Sequence, residues 1–350
     1  MNQCVLQYLG FFDEKIFILT GTSSDEAVGP PDVAVIIPAW NAETTVSRAI
    51  DSALSQVGVS VEVIVVDDAS TDGTVRVLSD LAALDRRVTF LQQSRNMGPA
   101  AARNRALDAA TAPYVTPLDS DDFMEEGRLA TLLDLAKQGS WDIVADDLYK
   151  MVAGSDEMSR TRLWSRKEIG VQAVDLPFFV KGNLSELHGD RGELGFLKPL
   201  IYKAFLDQIG LRYDEGMRLG EDYLLYATAL VQGAQFCLTD PAGYVAVVRD
   251  DSLSGSHRAK DLGALVQADS QLLSEVSDDP QAKALIRRHR LETWKRWAWM
   301  RLIEAVRDRD GREVFAAFRG PPGVGLSLMG RLAEQAYLRT ARRLSGRASR

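Results

Sequence analysis

The stretch Val61-Glu-Val-Ile-Val-Val-Asp-Asp-Ala-Ser-Thr-Asp72 decides the fold, because a short apolar run passes directly into a cluster of carboxylate and hydroxyl side chains. A continuous β-branched run bounded by polar residues is typical of a buried strand in a parallel sheet. Val33-Ala-Val-Ile-Ile37 is a second run of this kind. Between the two runs, residues 43–56 repeat apolar side chains every three or four positions, which predicts a connecting helix. Its apolar face comprises Val46, Ile50, Ala53, Leu54 and Val57.

The alternation of strand and helix continues along the chain. The pattern predicts a helix over 72–84, a strand over 88–92, a helix over 99–110 and a strand over 114–118. Such alternation indicates an α/β domain with a mostly parallel, Rossmann-like central sheet flanked by helices. Further on, we expect a helix over 128–138, a strand over 142–145 and an irregular stretch over 154–199. From Lys260 onward the sequence predicts helices, interrupted at Gly320-Pro-Pro-Gly323.

The charge of the chain is unevenly distributed. The 350 residues carry a net charge of −8, but residues 283–350 hold 17 Lys or Arg against 6 Asp or Glu, or +11, which leaves −19 for the rest. A basic tail on an acidic body suggests that the tail meets an anionic surface, either nucleic acid or membrane phosphate, while the body holds cations. The acidic body and the lack of a recognition motif argue against nucleic acid.

The cysteines and the N-terminal stretch bear on the compartment. Cys4 and Cys237 have no metal-ligand spacing and predict neither a disulfide framework nor a zinc site. Asp13-Glu-Lys15 interrupts the N-terminal apolar stretch, and no basic region precedes it, which argues against a signal peptide. No apolar run approaches the roughly 18 residues of a membrane span. We expect a cytoplasmic chain, and attachment to the inner face of the cell membrane stays open.

Polar side chains follow each of the first four predicted strands. They lie in Pro38-Ala-Trp-Asn41, Asp67-Asp-Ala-Ser-Thr-Asp72, Ser94-Arg-Asn-Met-Gly98 and Asp119-Ser-Asp-Asp122. Open parallel sheets bind ligands outside the carboxyl ends of their strands, so these segments predict one acidic binding edge. Crowded carboxylates repel each other unless a cation neutralises them. Asp119 and Asp121 can face one ion, and oxygen ligands of this kind favour Mg²⁺ or Mn²⁺.

These carboxylates have alternative explanations. In one, residues 119–122 cap the helix that follows, since Asp is a preferred N-cap, and capping is then the whole role of Asp122. In another, Asp67-Asp68 holds the ribose of a dinucleotide. That second explanation requires GxGxxG after the first strand, and the sequence has Pro38-Ala-Trp-Asn-Ala-Glu43 there instead. The sequence also lacks a GxxxxGK[ST] phosphate loop, so a bound nucleotide is expected to be held through carboxylates and a metal.

Five motifs in order resemble glycosyltransferase family 2, the inverting transferases with a GT-A fold. They are Val35-Ile-Ile-Pro-Ala-Trp-Asn41, Val65-Val-Asp-Asp-Ala-Ser-Thr-Asp72, Asn96-Met-Gly-Pro-Ala-Ala-Ala-Arg-Asn104, Asp119-Ser-Asp-Asp122 and Gly220-Glu-Asp222. The resemblance spans Asp32 to Asp251. Gly195-Phe-Leu-Lys-Pro199 and Arg249-Asp-Asp-Ser-Leu-Ser254 are similar to the subgroup that builds succinoglycan-type bacterial exopolysaccharides.

The resemblance implies a division of the chain. A catalytic GT-A domain would occupy 32–259, with a nucleotide-sugar half over 32–122 and an acceptor half over 123–259. Residues 1–31 would form an N-terminal extension and linker, and residues 260–350 a basic helical C-terminal region.

The resemblance also implies residue roles on the donor side. Pro38 and Asn41 resemble the floor of the uridine pocket, and Asp68 resembles the ligand of the nucleoside base or ribose. Arg103 resembles the basic residue that steadies the donor. Asp119 and Asp121 resemble the DxD pair that holds Mg²⁺ or Mn²⁺ on the diphosphate, with Ser120 between them on the nucleotide-sugar side. Arg249 and His257 fall where the family has a mobile loop, so Arg249 is a candidate for the phosphates and His257 for the metal.

On the acceptor side, Asp222 resembles the catalytic base, and Glu221 and Lys198 resemble acceptor-binding residues, with Lys198 suited to an anionic acceptor. An acceptor hydroxyl must lose its proton as it attacks the anomeric carbon, and a carboxylate fits that task. Single displacement then inverts the anomeric centre. Glu221-Asp222 also fits a helix N-terminus, where negative charge is favourable, and the two roles are compatible.

The resemblance implies transfer of a sugar, with glucose expected, from a UDP-sugar to an acceptor hydroxyl. An acceptor of the lipid-linked oligosaccharide type is expected. A non-catalytic nucleotide-sugar-binding subunit of a polysaccharide assembly complex is the alternative, and the oligomeric state stays open.

The segment Thr293-Trp-Lys-Arg-Trp297 resembles the QxxRW signature of processive polysaccharide synthases, but Thr293 stands where Gln is required. Those synthases also carry membrane spans, so we expect one sugar to be transferred per encounter. Two explanations of the tail's aromatic residues stay open. In one, Trp294, Trp297, Trp299 and Met300 lie on an amphipathic helix and pack on the catalytic domain. The other adds that the flanking arginines meet anionic lipid at a membrane interface.

Overall fold

The structure, a computed structural model, describes residues 29–154, 159–184, 194–248 and 258–348, with side chains up to residue 338. Arg249 and His257, both candidates on the donor side, lie outside the described residues, as does most of the N-terminal extension.

The first half of the chain forms four neighbouring parallel strands. They are β1 (Val33–Ala39), β2 (Val61–Asp67), β3 (Val88–Gln92) and β4 (Tyr114–Pro117), in the order β3-β2-β1-β4. Three helices connect them: α1 (Val46–Leu54), α2 (Thr74–Leu84) and α3 (Pro99–Ala109). The predicted α/β alternation is confirmed. The α1 helix is shorter than predicted, and Val57 is 54% exposed, because the chain turns at Gly58 (φ +73°) toward β2.

The second half is more varied than the first. Its elements up to residue 248 are β5 (Phe123–Met124), α4 (Arg128–Gly139), β6 (Ile143–Asp146), β7 (Tyr149–Val152), β8 (Thr161–Arg162), β9 (Gln172–Ala173), α5 (Leu176–Lys181), β10 (Leu200–Tyr202), α6 (Lys203–Gln208), α7 (Glu221–Val231), β11 (Phe236–Thr239) and β12 (Tyr244–Val248). The stretch 154–199, predicted to be irregular, contains α5, two short strands and a 3-10 turn at Leu194–Phe196. These elements are too short for a periodic pattern to predict them.

Two sheets organise the described residues. The central sheet has eight strands in the order β3-β2-β1-β4-β10-β6-β11-β9. Four of its neighbouring pairs are parallel and three, all involving β10 or β9, are antiparallel. A second sheet, β5-β12-β7-β8, has four strands. In this sheet β5 pairs with β12, and this pairing holds the segment 118–122 that connects β4 to β5.

Four helices follow the sheets: α8 (Ala259–Glu275), α9 (Pro280–Arg307), α10 (Gly311–Ala317) and α11 (Val324–Ala348). The α8 helix and the first part of α9 bury Leu262, Leu272 and Ile286 in the main core. The second part of α9 packs with α10 and α11 in a separate small core of Ala298, Leu302, Ala317, Val324 and Leu328. No helix in the described ranges has both the length and the apolar character to cross a membrane.

The tryptophans of α9 are partly buried against the two cores. Trp297 and Met300 lie against the main core, whereas Trp294 and Trp299 lie against the small core. Trp294 and Trp297 also meet edge to face, with ring centroids 5.3 Å apart. The expected packing on the rest of the chain thus holds for Trp297 and Met300, whereas contact of the flanking arginines with a membrane stays a prediction.

Candidate active site

The carboxyl ends of β1, β2, β3 and β4 meet at one edge of the sheet, as the sequence predicts. Backbone hydrogen bonds extend the strands by one step there, from the Asp68 N–H to the Ala39 carbonyl and from the Gln93 N–H to the Asp67 carbonyl. The polar segments that follow the strands therefore lie side by side, and the residues predicted to bind a nucleotide share this edge.

Asp68 is buried and anchors the loop that leads into α3. Its carboxylate accepts hydrogen bonds from the Met97 N–H and the Gly98 N–H, both at 2.7 Å, and from Gln93 Nε2 at 2.8 Å. Burial raises the pKa of Asp68. Gly98 lies at φ +94°, which favours glycine at this turn. Three of the carboxylate's roughly four acceptor positions are thus in use, and its predicted contact with a nucleoside stays a prediction.

Pro38 and Asn41 close the end of β1. Pro38 lies opposite Val66 in the sheet and is partly buried. The Asn41 side chain accepts a hydrogen bond from the Thr71 N–H at 2.8 Å, and its backbone has φ +50°, a conformation that Asn tolerates better than most residues. Asn41 thereby joins the loop after β1 to the loop after β2, beside Asp68, and the two loops form one wall of the edge.

Two cations and three carboxylates form a charge cluster next to this wall. Arg103 on α3 lies 2.7 Å from Asp119 and 2.9 Å from Glu221, measured between nitrogen and oxygen. Lys198 lies 2.8 Å from Asp222 and 3.1 Å from Asp119. Arg103 and Lys198 are both buried, so the repulsion among the carboxylates is offset by side chains of the protein itself.

Burial and the neighbouring charges shift the pKa values of the side chains in this cluster. Burial by itself raises the pKa of Asp119, but Lys198 and Arg103 outweigh that effect and hold it well below its ordinary value. Burial and the charge of Asp222 raise the pKa of Glu221. For Lys198, burial lowers the pKa, yet Asp119 and Asp222 raise it above its ordinary value. Lys198 and Asp119 are therefore both charged at neutral pH.

Asp222 lies in the first turn of α7. Gly220 caps this helix at φ +77°, and the helix dipole favours a negative charge at its first residues. Oxygen Oδ2 of Asp222 accepts a hydrogen bond from Lys198. Oxygen Oδ1 is buried without a hydrogen-bond partner, 3.7 Å from Arg103. One oxygen of this carboxylate is thus held by Lys198, and the other is enclosed with no hydrogen bond.

A close approach of two segments brings Lys198 to Asp222. Gly195 lies in the 3-10 turn before Lys198, where an added Cβ would fall 2.9 Å from Cβ of Tyr223 on α7. The Gly195 N–H donates a hydrogen bond to Oδ1 of Asn183 at 2.7 Å. The turn can therefore pack directly on α7. In the sequence this glycine is only part of a motif, and its role in packing was not predicted.

A buried pair lies beneath the cluster. Arg128 and Asp146 are fully buried, with 2.7 Å between nitrogen and oxygen. Arg128 also donates to the carbonyl of Lys198 at 2.5 Å. This second ion pair fixes the backbone of Lys198 from below. This pair was not predicted from the sequence, in which Arg128 is only the first residue of a predicted helix.

The acidic turn after β4 is held by β12. Tyr244 donates its hydroxyl to Asp122 at 2.8 Å and accepts from the Asp119 N–H at 3.2 Å. Asp122 also accepts from the Val247 N–H at 2.8 Å. Burial and the charges of Asp119 and Asp121 raise the pKa of Asp122 to about 8. Asp122 thus points inward, while the Asp119 carboxylate remains 30% exposed.

The helix-capping alternative for residues 119–122 is wrong. The next helix, α4, begins only at Arg128 and has Gly127 at its N-cap position. The strand β5 lies between the acidic turn and that helix. Tyr244, which holds the turn instead, had no signal in the sequence beyond its place in a strand.

The donor atoms at this edge suit a hard divalent ion. Within the described ranges, no three His, Cys, Asp or Glu side chains form a group that could hold a metal alone. Asp119 and Asp121 offer carboxylates, and Ser120 lies between them. Mg²⁺ binds through one or two carboxylates completed by substrate phosphates, so the aspartates fit an ion that arrives with a diphosphate. Asp119, expected from the sequence to bind both the nucleotide-sugar and the metal, already lies beside Arg103 and Lys198 of the charge cluster, and both expected roles stay predictions.

Comparisons with known proteins agree on the family. Residues 34–193 match the family described as Glycosyl transferase family 2. The chain is 40% identical over 310 residues to the succinoglycan biosynthesis protein ExoU of Rhizobium meliloti, covering 88% of this chain and 89% of that protein.

Solved structures share the fold. A crystal structure of S. aureus TarS residues 1–349 with UDP-GlcNAc superposes with a TM-score of 0.58 at 19% identity, covering 77% of this chain and 72% of that one. The mannosyltransferase PcManGT of Pyrobaculum calidifontis, in complex with GDP-Man and Mn²⁺, superposes with a TM-score of 0.54 at 19% identity, covering 88% and 80%. The domain of mixed sheet and flanking helices is a GT-A fold, and the chain belongs to glycosyltransferase family 2.

Proposed function

We propose that this chain is a non-processive inverting glycosyltransferase that moves a sugar, glucose in the first instance, from a UDP-sugar to an acceptor hydroxyl. One observation carries the proposal: the Asp222 carboxylate is anchored to Lys198 through one oxygen, while the other oxygen has no hydrogen-bond partner. The Asp119 carboxylate lies on the other side of the same ammonium group. Lys198 therefore holds both Asp222, the proposed base, and Asp119, the carboxylate proposed to bind the donor.

On the donor side, the proposal places the nucleoside against the wall formed by Asn41 and Asp68 and the diphosphate beside Asp119 and Asp121. A divalent ion bound there would offset the charge that the diphosphate gains as it leaves. Arg103 is proposed to hold Asp119 in place from inside the protein, because its guanidinium is buried and faces three carboxylates. The solved structures that share the fold support this placement, since TarS is bound to UDP-GlcNAc and PcManGT to GDP-Man and Mn²⁺.

In the proposed chemical step, Asp222 accepts the proton of the acceptor hydroxyl as that oxygen attacks the anomeric carbon. The hydroxyl approaches from the face opposite the leaving diphosphate, so the anomeric centre inverts. The free oxygen Oδ1 accepts the proton, while Lys198 keeps the carboxylate oriented through Oδ2. The rigid position of Asp222 at the start of α7 favours this role, because a small displacement of a general base is costly.

On the acceptor side, the proposal is an oligosaccharide of bacterial exopolysaccharide assembly, carried on a lipid at the cytoplasmic side of the membrane. The similarity to a succinoglycan biosynthesis protein over most of both chains supports this class. Lys198, expected from sequence to bind an anionic acceptor, is better explained as the ionic partner of Asp222, because both groups are buried together. Glu221 lies at the same helix start and pairs with Arg103, so its predicted acceptor contact stays a prediction.

The test is incubation of the purified chain with a panel of UDP-sugars and Mn²⁺, with release of UDP followed over time. The proposal predicts that UDP-glucose gives release that rises on addition of a glycan acceptor. Binding of UDP without turnover of any donor in the panel would favour the alternative, a non-catalytic nucleotide-sugar-binding subunit.

A further inference from the structure

We propose that the outer face of α11 docks on the surface of an anionic lipid bilayer. The inference goes beyond the proposed reaction, and it concerns a surface that lies outside the charge cluster. The tryptophans of α9, which sequence patterns offered for this role, are partly buried against the two cores. The helix α11 instead presents strongly exposed apolar side chains along one face.

The α11 helix has two apolar faces. Val324 and Leu328 are fully buried and attach the start of the helix to α9. Leu326 lies two residues from each of them, so it points about 200° away around the helix. Leu326 and Met329 are 77% and 62% exposed. An apolar face in contact with solvent beside a buried one indicates that the exposed face has a partner of its own.

The exposed face extends along the helix in one stripe. Leu326, Met329, Ala333 and Tyr337 follow one another at spacings of three, four and four, which places them on the same side. Tyr337 is 73% exposed. Tyrosine with aliphatic neighbours is typical of side chains that lie at the boundary between lipid headgroups and acyl chains. Phe315 on the preceding helix α10 is also 73% exposed.

The net positive charge of α11 favours an anionic partner. Residues 324–348 contain five arginines and one glutamate, a net charge of +4, and the chain before residue 283 carries −19. A basic amphipathic helix is attracted to an anionic surface, and the acidic body is repelled from it. The helix therefore meets the bilayer while the catalytic domain stays in solution. A second copy that used the same face would bring two basic helices together, which disfavours a symmetric dimer through this stripe.

The test measures binding of the full chain to vesicles of mixed phosphatidylglycerol and phosphatidylcholine by co-sedimentation, with pure phosphatidylcholine vesicles in parallel. We expect binding to the anionic vesicles that weakens as salt rises. The double variant L326E/M329E should partition roughly 100-fold more weakly, since two apolar side chains no longer enter the bilayer. The matched control is Leu84→Glu, an equally exposed leucine (83%) on α2, which should bind like the wild type.

Other outcomes overturn the proposal. One is the absence of binding to anionic vesicles at low salt, and another is equal binding by L326E/M329E and the wild type. Size-exclusion chromatography supplies a third: a wild-type dimer that L326E/M329E converts to a monomer would show that a second copy covers the stripe. None of these readings depends on glycosyltransferase activity. Both variants change exposed side chains, so folding can be verified independently by circular dichroism.

Discussion

Lys198 lies between the two carboxylates that the proposed reaction requires, with its ammonium group 2.8 Å from Asp222. The same ammonium group is 3.1 Å from Asp119, in the turn proposed to bind the donor. Lys198 therefore couples the proposed base to the proposed donor-binding turn. Together with Arg103, which pairs with Glu221, it offsets the repulsion among the three carboxylates.

Replacement of Lys198 by Met tests this coupling. The variant leaves Asp222 and Asp119 without their common cation, and loss of one partner of a buried pair costs about 3–5 kcal/mol of unfolding free energy. In an Asp222→Asn background the cost should fall by at least about 1 kcal/mol, because one of the stranded charges is gone. Urea denaturation of the four proteins measures both quantities. Equal costs in the two backgrounds would show that Lys198 and Asp222 do not interact in solution.

Asp121→Ala tests the donor-binding turn. If Asp121 shares a divalent ion with a diphosphate, its loss should weaken UDP binding in the presence of Mn²⁺ by roughly 10- to 100-fold, the range that loss of a metal-site group commonly costs. UDP binding in EDTA should be unaffected by the substitution. Isothermal titration calorimetry with and without Mn²⁺ provides the comparison, and Asp134→Ala on α4 is the control. Identical Mn²⁺-dependent affinities in Asp121→Ala and the wild type would remove Asp121 from the metal site.

The C-terminal helices α8 and α9 are joined to α7, which carries the proposed base, by a buried network. Tyr223, the residue after Asp222, donates to Asp269 on α8 at 3.0 Å, and His289 on α9 lies 2.8 Å from the same carboxylate. All three side chains are buried. Helices α8 and α9 thus support the start of α7 directly. Loss of a hydrogen bond in this network should therefore alter the position of Asp222, the proposed base.

Tyr223→Phe removes one hydrogen bond from that network and keeps the ring. We expect a loss of about 1–3 kcal/mol in unfolding free energy, since the Asp269 carboxylate loses a buried donor. We also expect a lower kcat with little change in donor binding, because α7 carries Asp222. Tyr337→Phe, on the exposed face of α11, is the control and should change neither quantity. Wild-type stability and kcat in Tyr223→Phe would show that the network does not support α7.

The reactivity of the Cys237 thiol provides a further prediction. Cys237 lies in β11 within the core, and burial raises the pKa of its thiol to about 12. The thiolate is the reactive form, so the native protein should leave Cys237 unlabelled by a disulfide reagent at pH 8. Unfolding in denaturant should restore full labelling. Use of the Cys4→Ser variant isolates this thiol, and rapid labelling of the native variant would contradict the burial of β11.

The sequence predicts the first half of the fold well, because its signals are local. The runs 33–37 and 61–66 are continuous and β-branched, and each ends in polar residues, so both the strands and the acidic edge could be predicted. The helix after the first strand was predicted too long, since Val57 continues the apolar spacing although Gly58 turns the chain. Local periodicity carries no information about a turn that depends on backbone conformation.

The contacts within the site depend on tertiary structure and could not be predicted from spacing. Lys198 and Asp222 are 24 residues apart, and their pairing requires the packing of Gly195 against α7. Tyr244, whose hydroxyl donates a hydrogen bond to Asp122 in the acidic turn, lies 122 residues further along the chain. The tryptophans of α9 are typical of a membrane-facing helix, yet they are partly buried against the main core or the small core. Only the arrangement of α10 and α11 reveals which apolar side chains remain outside.

The proposed reaction is tested most directly by Asp222→Asn, which preserves shape and removes the carboxylate charge. Turnover of the UDP-sugar in the presence of acceptor should fall by about 10²–10⁴-fold, the usual cost of losing a general base, while the Kd for UDP with Mn²⁺ stays within about threefold of wild type. Asp80→Asn, an exposed aspartate on α2, should leave both quantities unchanged. Wild-type turnover in a folded Asp222→Asn protein would show that another group accepts the proton.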